Sequence, residues 1–231
     1  MHKRRIERKE YADMNIFDIL GPIMVGPSSS HTAGAVKIGK VARMLLGAEP
    51  KHAWITLHGS FAATGAGHGT DKALIAGLLG MNPDDMRIPD SELIAEQQGL
   101  EYCFQTKYIR GAHPNTAVIR VDDGMGKEVN MQASSIGGGR IRVNGIDGIH
   151  VDFSAESPTL IVNNEDRPGH VAAVTSILAE ADINIATLTL NRGKRGGKAI
   201  FVTETDLDIP SFVVEKISRI PGVLKVTYLN A

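Results

Sequence analysis

From residue 36 the apolar positions of VKIGKVARMLLG recur with a helical period, and a helix is predicted there. HAWITLHGS (52–60) reads as a strand, DKALIAGLLG (71–80) as a second helix stopped at Gly80, and SELIAEQQGL (91–100) as a third, shorter one. Between Thr116 and Phe153 apolar and polar residues alternate across Asp-Gly and Gly-rich turns, which predicts successive hairpins. Residues 14–155 are therefore expected to form an α+β unit. Its end is placed near Ser154–Pro158, where the strand pattern stops.

The last third is patterned most clearly. A short apolar strand, Leu160 to Val162, meets the turn Asp166-Arg167-Pro168-Gly169, and Val171, Val174, Ile177 and Leu178 then fall on one helical face. Alternation at Ile183, Ile185, Leu188 and Leu190 predicts a second strand and AIFVTETD (199–206) a third. PSFVVEKISRI (210–220) predicts a second helix ending at Pro221-Gly222, and Val223 to Leu229 a closing strand. The order βαββαβ over residues 158–231 is the ferredoxin-like split unit.

Composition narrows the function classes. A chain of 231 residues with 42% hydrophobic residues is an ordinary globular protein, long enough for a sizeable core. A net charge of -1 and few, scattered aromatics give no case for nucleic-acid binding. No apolar run reaches membrane-spanning length, and the basic start MHKRRIERKEYAD has no apolar segment behind it, so no membrane association and a cytoplasmic location are expected. Residues 1–13 are expected to be a disordered extension, a short basic helix being the alternative. Cys103 is the only cysteine, which excludes an internal disulfide and a cysteine-ligated iron-sulfur cluster built from this chain alone.

Three segments are candidates for chemistry. In GPSSSHTAGA (26–35) a helix starting at about His31 or Thr32 makes Ser30 a natural N-cap, and the unpaired first-turn amides attract an anion, with Ser28, Ser29 and Thr32 hydroxyls completing the cradle. The alternative is a cap and solvated hydroxyls only. In LHGSFAATGAGHGTDKA (57–73), His58 ends a strand ahead of a Gly-rich connection, with Thr70 or Asp71 as the cap of the next helix. In GAHPNTAVI (111–119), Pro114 fixes the backbone between His113 and Asn115, unless Asn115 only closes a turn. No two of His31, His58, His68 and His113 have the i, i+4 spacing of strong zinc motifs, so no metal site is expected in this chain. A proton-transfer role suits them better, His58 being the candidate general base.

FDILGPIMVGPSSSHTAGAVKIGKVAR, LHGSFAATGAGHGTDKA and HPNT together resemble the beta chain of bacterial iron-sulfur L-serine dehydratases, and the tail resembles an ACT regulatory domain. The resemblance implies an α+β dehydratase beta-type unit followed by the βαββαβ ACT domain. It also implies a lyase that removes water from L-serine, giving aminoacrylate and then pyruvate and ammonia. It implies a separate alpha chain holding a 4Fe-4S cluster whose open iron acts on the serine hydroxyl, and leaves a monovalent cation as a further candidate cofactor. On this reading His58, His113 and Asn115 are the expected catalytic residues. Ser28, Ser29, Ser30, His31, Thr32, Gly59 and Ser60 are expected near the substrate or cluster. Asn164, Asp166 and Asn184 match the ACT effector positions, although Asp166 stands where related domains commonly carry a neutral amide, and self-association through the ACT domain is expected.

Other classes remain open at this point. The first unit also resembles the allosteric substrate-binding domain beside ACT in some phosphoglycerate dehydrogenases, which would make the chain a non-catalytic amino-acid sensor. No dinucleotide fingerprint accompanies it. A stand-alone hydrolase lacks a nucleophile elbow, and Lys37 and Lys72 leave pyridoxal phosphate open.

Overall fold

The computed structural model describes residues 23–230; the expected extension over residues 1–13 lies outside them. The first helix, α1 (Gly34–Leu46), follows a wide turn at Ser29–Ala33, and its buried positions cover most of its circumference. Strand β1 (His52–Leu57), helices α2 (Gly59–His68), α3 (Thr70–Leu78) and α4 (Ser91–Gln98), and strands β2 (Glu101–Thr106), β3 (Thr116–Asp122), β4 (Glu128–Gly137), β5 (Arg140–Ile146) and β6 (Ile149–Phe153) complete the first unit.

The strands form one sheet in the order β2-β1-β3-β4-β5-β6, with β1 and β2 parallel and the remaining pairs antiparallel. The inward residues of β3 to β5, among them Ile119, Val121, Met131, Ala133 and Val143, are buried in one core with α1 and α3. Those two helices cross backbone to backbone. A Cβ on Gly39 would lie 2.2 Å from the Leu74 carbonyl oxygen, and one on Gly77 2.0 Å from that of Val36. Glycine is required at both positions because only it permits this approach.

Two sequence expectations change here. The Gly-rich stretch after His58 is a helix and not a flexible connection: Phe61 is fully buried and anchors it despite the poor helix propensity of Gly65 and Gly67. It stops at Gly69, whose left-handed backbone (φ 67°) is also the N-cap of α3, so neither Thr70 nor Asp71 is the cap. The Asp71 carboxylate instead accepts the Lys72 amide at 2.9 Å. Strand β2, which pairs with β1 at the edge of the sheet, has no counterpart in the sequence reading.

The chain then enters a second sheet, built from β7 (Thr159–Glu165), β8 (Ile185–Arg192), β9 (Lys198–Thr205) and β10 (Val223–Leu229), with helices α5 (His170–Glu180) and α6 (Ser211–Ser218). The order β10-β7-β9-β8, antiparallel throughout, is the predicted ferredoxin-like arrangement. Leu160, Val162 and Phe201 pack on Val174 and Leu178 of α5 and Val213 and Ile217 of α6. The opposite face, through Ile161, Ile200, Val202 and Leu229, joins the core of the first unit near Val151 and Phe153. From β10 the Lys225 ammonium reaches the last carbonyls of α1, those of Leu45 and Leu46, a favourable place for a cation. Val171, expected on the buried face of α5, is exposed, as are Leu188 and Leu190 on the edge strand β8.

Candidate functional site

The start of α1 is built differently from its sequence expectation. The N-cap is Ser28, not Ser30: its Oγ accepts the His31 amide at 3.3 Å, and the next five residues are wound wider than an α-helix, with the Gly34 amide reaching Ser29 O. This turn carries His31 inward, where it is buried against Phe61, with ring centroids 5.3 Å apart, and beside His68 at 5.0 Å.

Helix α2 supplies the hydroxyls around that ring. Thr64 Oγ1 donates to Ser60 O at 2.8 Å, so it can only accept from His31 Nε2, 3.0 Å away, and the imidazole proton belongs on Nε2. Ser60 Oγ lies 3.2 Å from the same nitrogen. The lone pair on His31 Nδ1 is left facing Ser28 Oγ at 3.4 Å. Burial first, and then the neighbouring His68, hold the His31 pKa below its usual 6.5, so the ring is neutral at neutral pH.

His58 caps the other side of α2. Its Nδ1 lies 3.1 Å from the Ile109 amide and 3.3 Å from Lys107 O, so it accepts from the one or donates to the other according to its tautomer. With its proton on Nε2 His58 offers a donor, and with it on Nδ1 it offers the Nε2 lone pair. It lines a cleft of about 420 Å3 with Tyr108, stacked edge-on at 5.4 Å, and Pro114. Gly59 explains the join between α2 and the Pro114 loop: with φ at 57°, a Cβ there would sit 2.5 Å from Pro114 O.

The candidates therefore fall into two groups. Ser28, His31 and Ser60 meet, with Gly59 in the same helix start, and Ser29 and Ser30 are half-buried in the adjoining turn. Thr32 is buried, and its Oγ1 has no protein partner among the described residues; the same holds for Asn115 Oδ1 and Ser135 Oγ, the latter pressed against Gly34. A buried hydroxyl left unpaired costs about 1–3 kcal/mol, so Thr32 Oγ1 and Ser135 Oγ, both at this turn, are candidates to meet a further partner. His113 is apart from this group: it is exposed, its Nδ1 accepts the Asn115 amide at 3.1 Å, and it lines a cavity on the far face of the sheet. Thr64, Tyr108 and Ser135 escaped the sequence reading. Thr64 was within reach of it, standing four residues after Ser60 and so on the same face of a helix, had 59–68 been read as one.

The three ACT candidates do not meet within one chain. Asn164 pairs through Ala199 with Arg192 at one end of the sheet, whereas Asn184 precedes Ile185, which pairs with Thr205 at the other. Asp166 accepts from the Arg192 guanidinium at 3.2 Å and the Gly196 amide at 2.9 Å, and the amide first and then the arginine keep its carboxyl below the usual range. Asn184 donates to Asp206 at 2.5 Å and Asn164 to Glu165 O at 2.6 Å.

The family model for the serine dehydratase beta chain matches residues 15–101, and that for the ACT domain residues 159–222. A probable L-serine dehydratase beta chain of Bacillus subtilis is 40% identical over 92% of this chain and 96% of its own length. This chain belongs to the serine dehydratase beta chain family. The L-serine dehydratase beta chain of Peptoniphilus asaccharolyticus is likewise 40% identical, over 84% of this chain and 88% of its own. D-3-phosphoglycerate dehydrogenase of Bacillus subtilis is 24% identical over 69% of this chain and 30% of its own length. Within this family frame, the chain's own residues do not fit a 4Fe-4S cluster: Cys103 is exposed on β2 in register with Trp54, and no group of three or more potential ligands occurs among the described residues. Nor is any helix among the described residues long and apolar enough to cross a membrane.

Proposed function

We propose that this chain is the beta subunit of an L-serine dehydratase, a lyase that with an alpha chain converts L-serine to pyruvate and ammonia. The 40% identity to a beta chain along nearly the full length of both proteins carries this reading. Residues 14–155 are assigned to the dehydratase unit and 158–231 to the ACT domain. The cluster is assigned to the alpha chain, since one cysteine cannot hold it.

Within the chain, the roles of two histidines exchange relative to the sequence expectation. His31, neutral and with its Nδ1 lone pair toward Ser28, is assigned as the acceptor of the serine Cα proton. His58, in the tautomer that accepts the Ile109 amide and carries its proton on Nε2, is assigned as a donor to the substrate. The wide turn, through the hydroxyls of Ser28, Ser29, Ser30 and Thr32, suits the carboxylate; Gly59, Ser60 and Asn115 frame it. Loss of the Cα proton and of hydroxide leaves aminoacrylate, which hydrolyses to pyruvate and ammonia. A monovalent cation activator and self-association along the open edge of β8 belong to the same reading, as does a weak or absent effector site at Asp166, whose carboxylate is already occupied.

Anaerobic affinity purification of the tagged chain from its native cells tests it. Co-elution of a cysteine-rich chain with iron, sulfide and serine-dependent pyruvate formation is expected. The likeness to phosphoglycerate dehydrogenase favours a second reading, a non-catalytic amino-acid sensor. An iron-free, inactive dimer that binds an amino acid would favour that one.

A further inference from the structure

The face of the first sheet turned away from α1 and α3 is open, and two adjoining cavities of about 430 and 320 Å3 lie on it, sharing Gln132, Asn144 and His150. The larger is closed on one side by the loop that carries Arg110 and His113. No aspartate or glutamate lines either cavity. Arg142 also lines the larger one, but its guanidinium is held by Asp152 through two hydrogen bonds. Arg110 has no ion-pair partner among the described residues.

The polar groups here are aimed. His113 Nδ1 accepts a backbone amide, so Nε2 carries the proton and is a donor. Ser134, buried to 3% exposure, lies with its Oγ 3.0 Å from the Asn144 side-chain amide and ties it to the sheet. Thr116 Oγ1 lies 2.7 Å from Ser134 Oγ and donates to His113 O at 2.6 Å, which fixes the loop to the sheet. A guanidinium, an imidazole N–H and a side-chain amide therefore line one cavity, and the carboxylate at its edge, Asp152, is engaged by Arg142, a set that suits an anion.

We propose that this sheet face is a second binding site, taking a small anion that bears a carboxylate or phosphate group between Arg110 and His113 on the loop and Asn144 and His150 on the sheet. His113 then serves this site and not the elimination. The Pro114 backbone between His113 and Asn115 abuts Gly59, so the bound anion is linked to the start of α2.

Isothermal titration of the full chain with inorganic phosphate and with malonate, at ionic strength matched with chloride, tests the proposal. At least one of the two is expected to bind. Arg110→Gln should raise Kd about tenfold or more, as expected for loss of a charge-assisted contact. Arg140→Gln, an exposed arginine outside the cavity on the same sheet, should leave Kd within about twofold. Binding of phosphate alone points to a phosphate ester, and binding of malonate to a carboxylate. No heat with either anion overturns the proposal, as does equal weakening by Arg140→Gln. Binding of hexaglutamate with neither small anion binding also overturns it, and assigns the face to an acidic protein partner. The readout is binding, so it stands or falls independently of serine turnover.

Discussion

Two turns in this chain lead into helices with similar polar equipment and are finished in opposite ways. Before α5, Asp166 is tied to Arg192 and Gly196, Asn164 donates to Glu165 O, and His170 is placed between Arg167 O and Pro221 O; only Asn164 Oδ1 is left over. Before α1, the His31 ring is buried among hydroxyls, and Thr32 Oγ1, Asn115 Oδ1 and Ser135 Oγ have no protein partner among the described residues. Abundance of polar residues thus marks neither turn as a site. What separates them is whether the fold consumes its own hydrogen bonds or leaves buried ones for a visitor.

The contrast predicts that changes at the first turn cost function and changes at the second cost little. The largest effect is expected for His31→Gln in the complete complex, a fall in kcat of about 10²–10⁴, with the melting temperature of the chain nearly unchanged. Near-normal serine turnover by this variant, with His58→Gln inactive, would restore the base role to His58.

Next is Gly77→Ala, which acts on the frame and not on the site. The added methyl has no room against Val36 O, and the helix pair must part, costing about 1–3 kcal/mol in urea unfolding. Lys225→Met should cost about 1–2 kcal/mol and speed amide exchange in the last turn of α1, because it leaves the Leu45 and Leu46 carbonyls without their cation. Unchanged exchange there would mean that β10 does not hold that helix end.

The pH dependence sharpens the comparison further. His31 has a folded pKa below 6.5, so the unfolded state binds the extra proton first, and stability falls as pH drops below 6.5. The acid limb of kcat/KM is expected on the same side, below 6.5, and this part of the acid loss of stability should be absent in His31→Gln. The smallest effect is expected for Asp166→Ala: no loss of turnover, and calorimetric heats with serine indistinguishable from the parent chain.

Much of the fold was legible from periodicity. The hairpin strands from Thr116 to Phe153 bury one face, which is what alternation records, whereas β7 and β9 are buried on both faces and read as continuous apolar runs. Helix 59–68 was missed because it is held by tertiary contacts, Phe61 in the core and Gly59 against Pro114, and not by propensity. Edge strand β2 was missed because, with one side open, its exposed positions dilute the pattern. At the site, the segments were found but the roles were not. Which nitrogen of His31 or His58 is free depends on the hydroxyl of Thr64 and the amide of Ile109, groups 33 and 51 residues away in the chain.

By itself, then, the sequence determined the βαββαβ order, the helix that follows the serine run, and the single cysteine, too few to ligate an iron-sulfur cluster within this chain. These rest on local spacing and composition, which folding does not alter. Only the tertiary structure decided that Ser28 rather than Ser30 caps the wide turn that leads into α1, that His113 faces the opposite side of the sheet from His31, and that Asp166 and Asn184 lie at opposite ends of theirs. Each of these depends on which distant backbone or side chain meets a given polar atom, and a hydrogen bond, being short and directional, is settled only when the chain has packed.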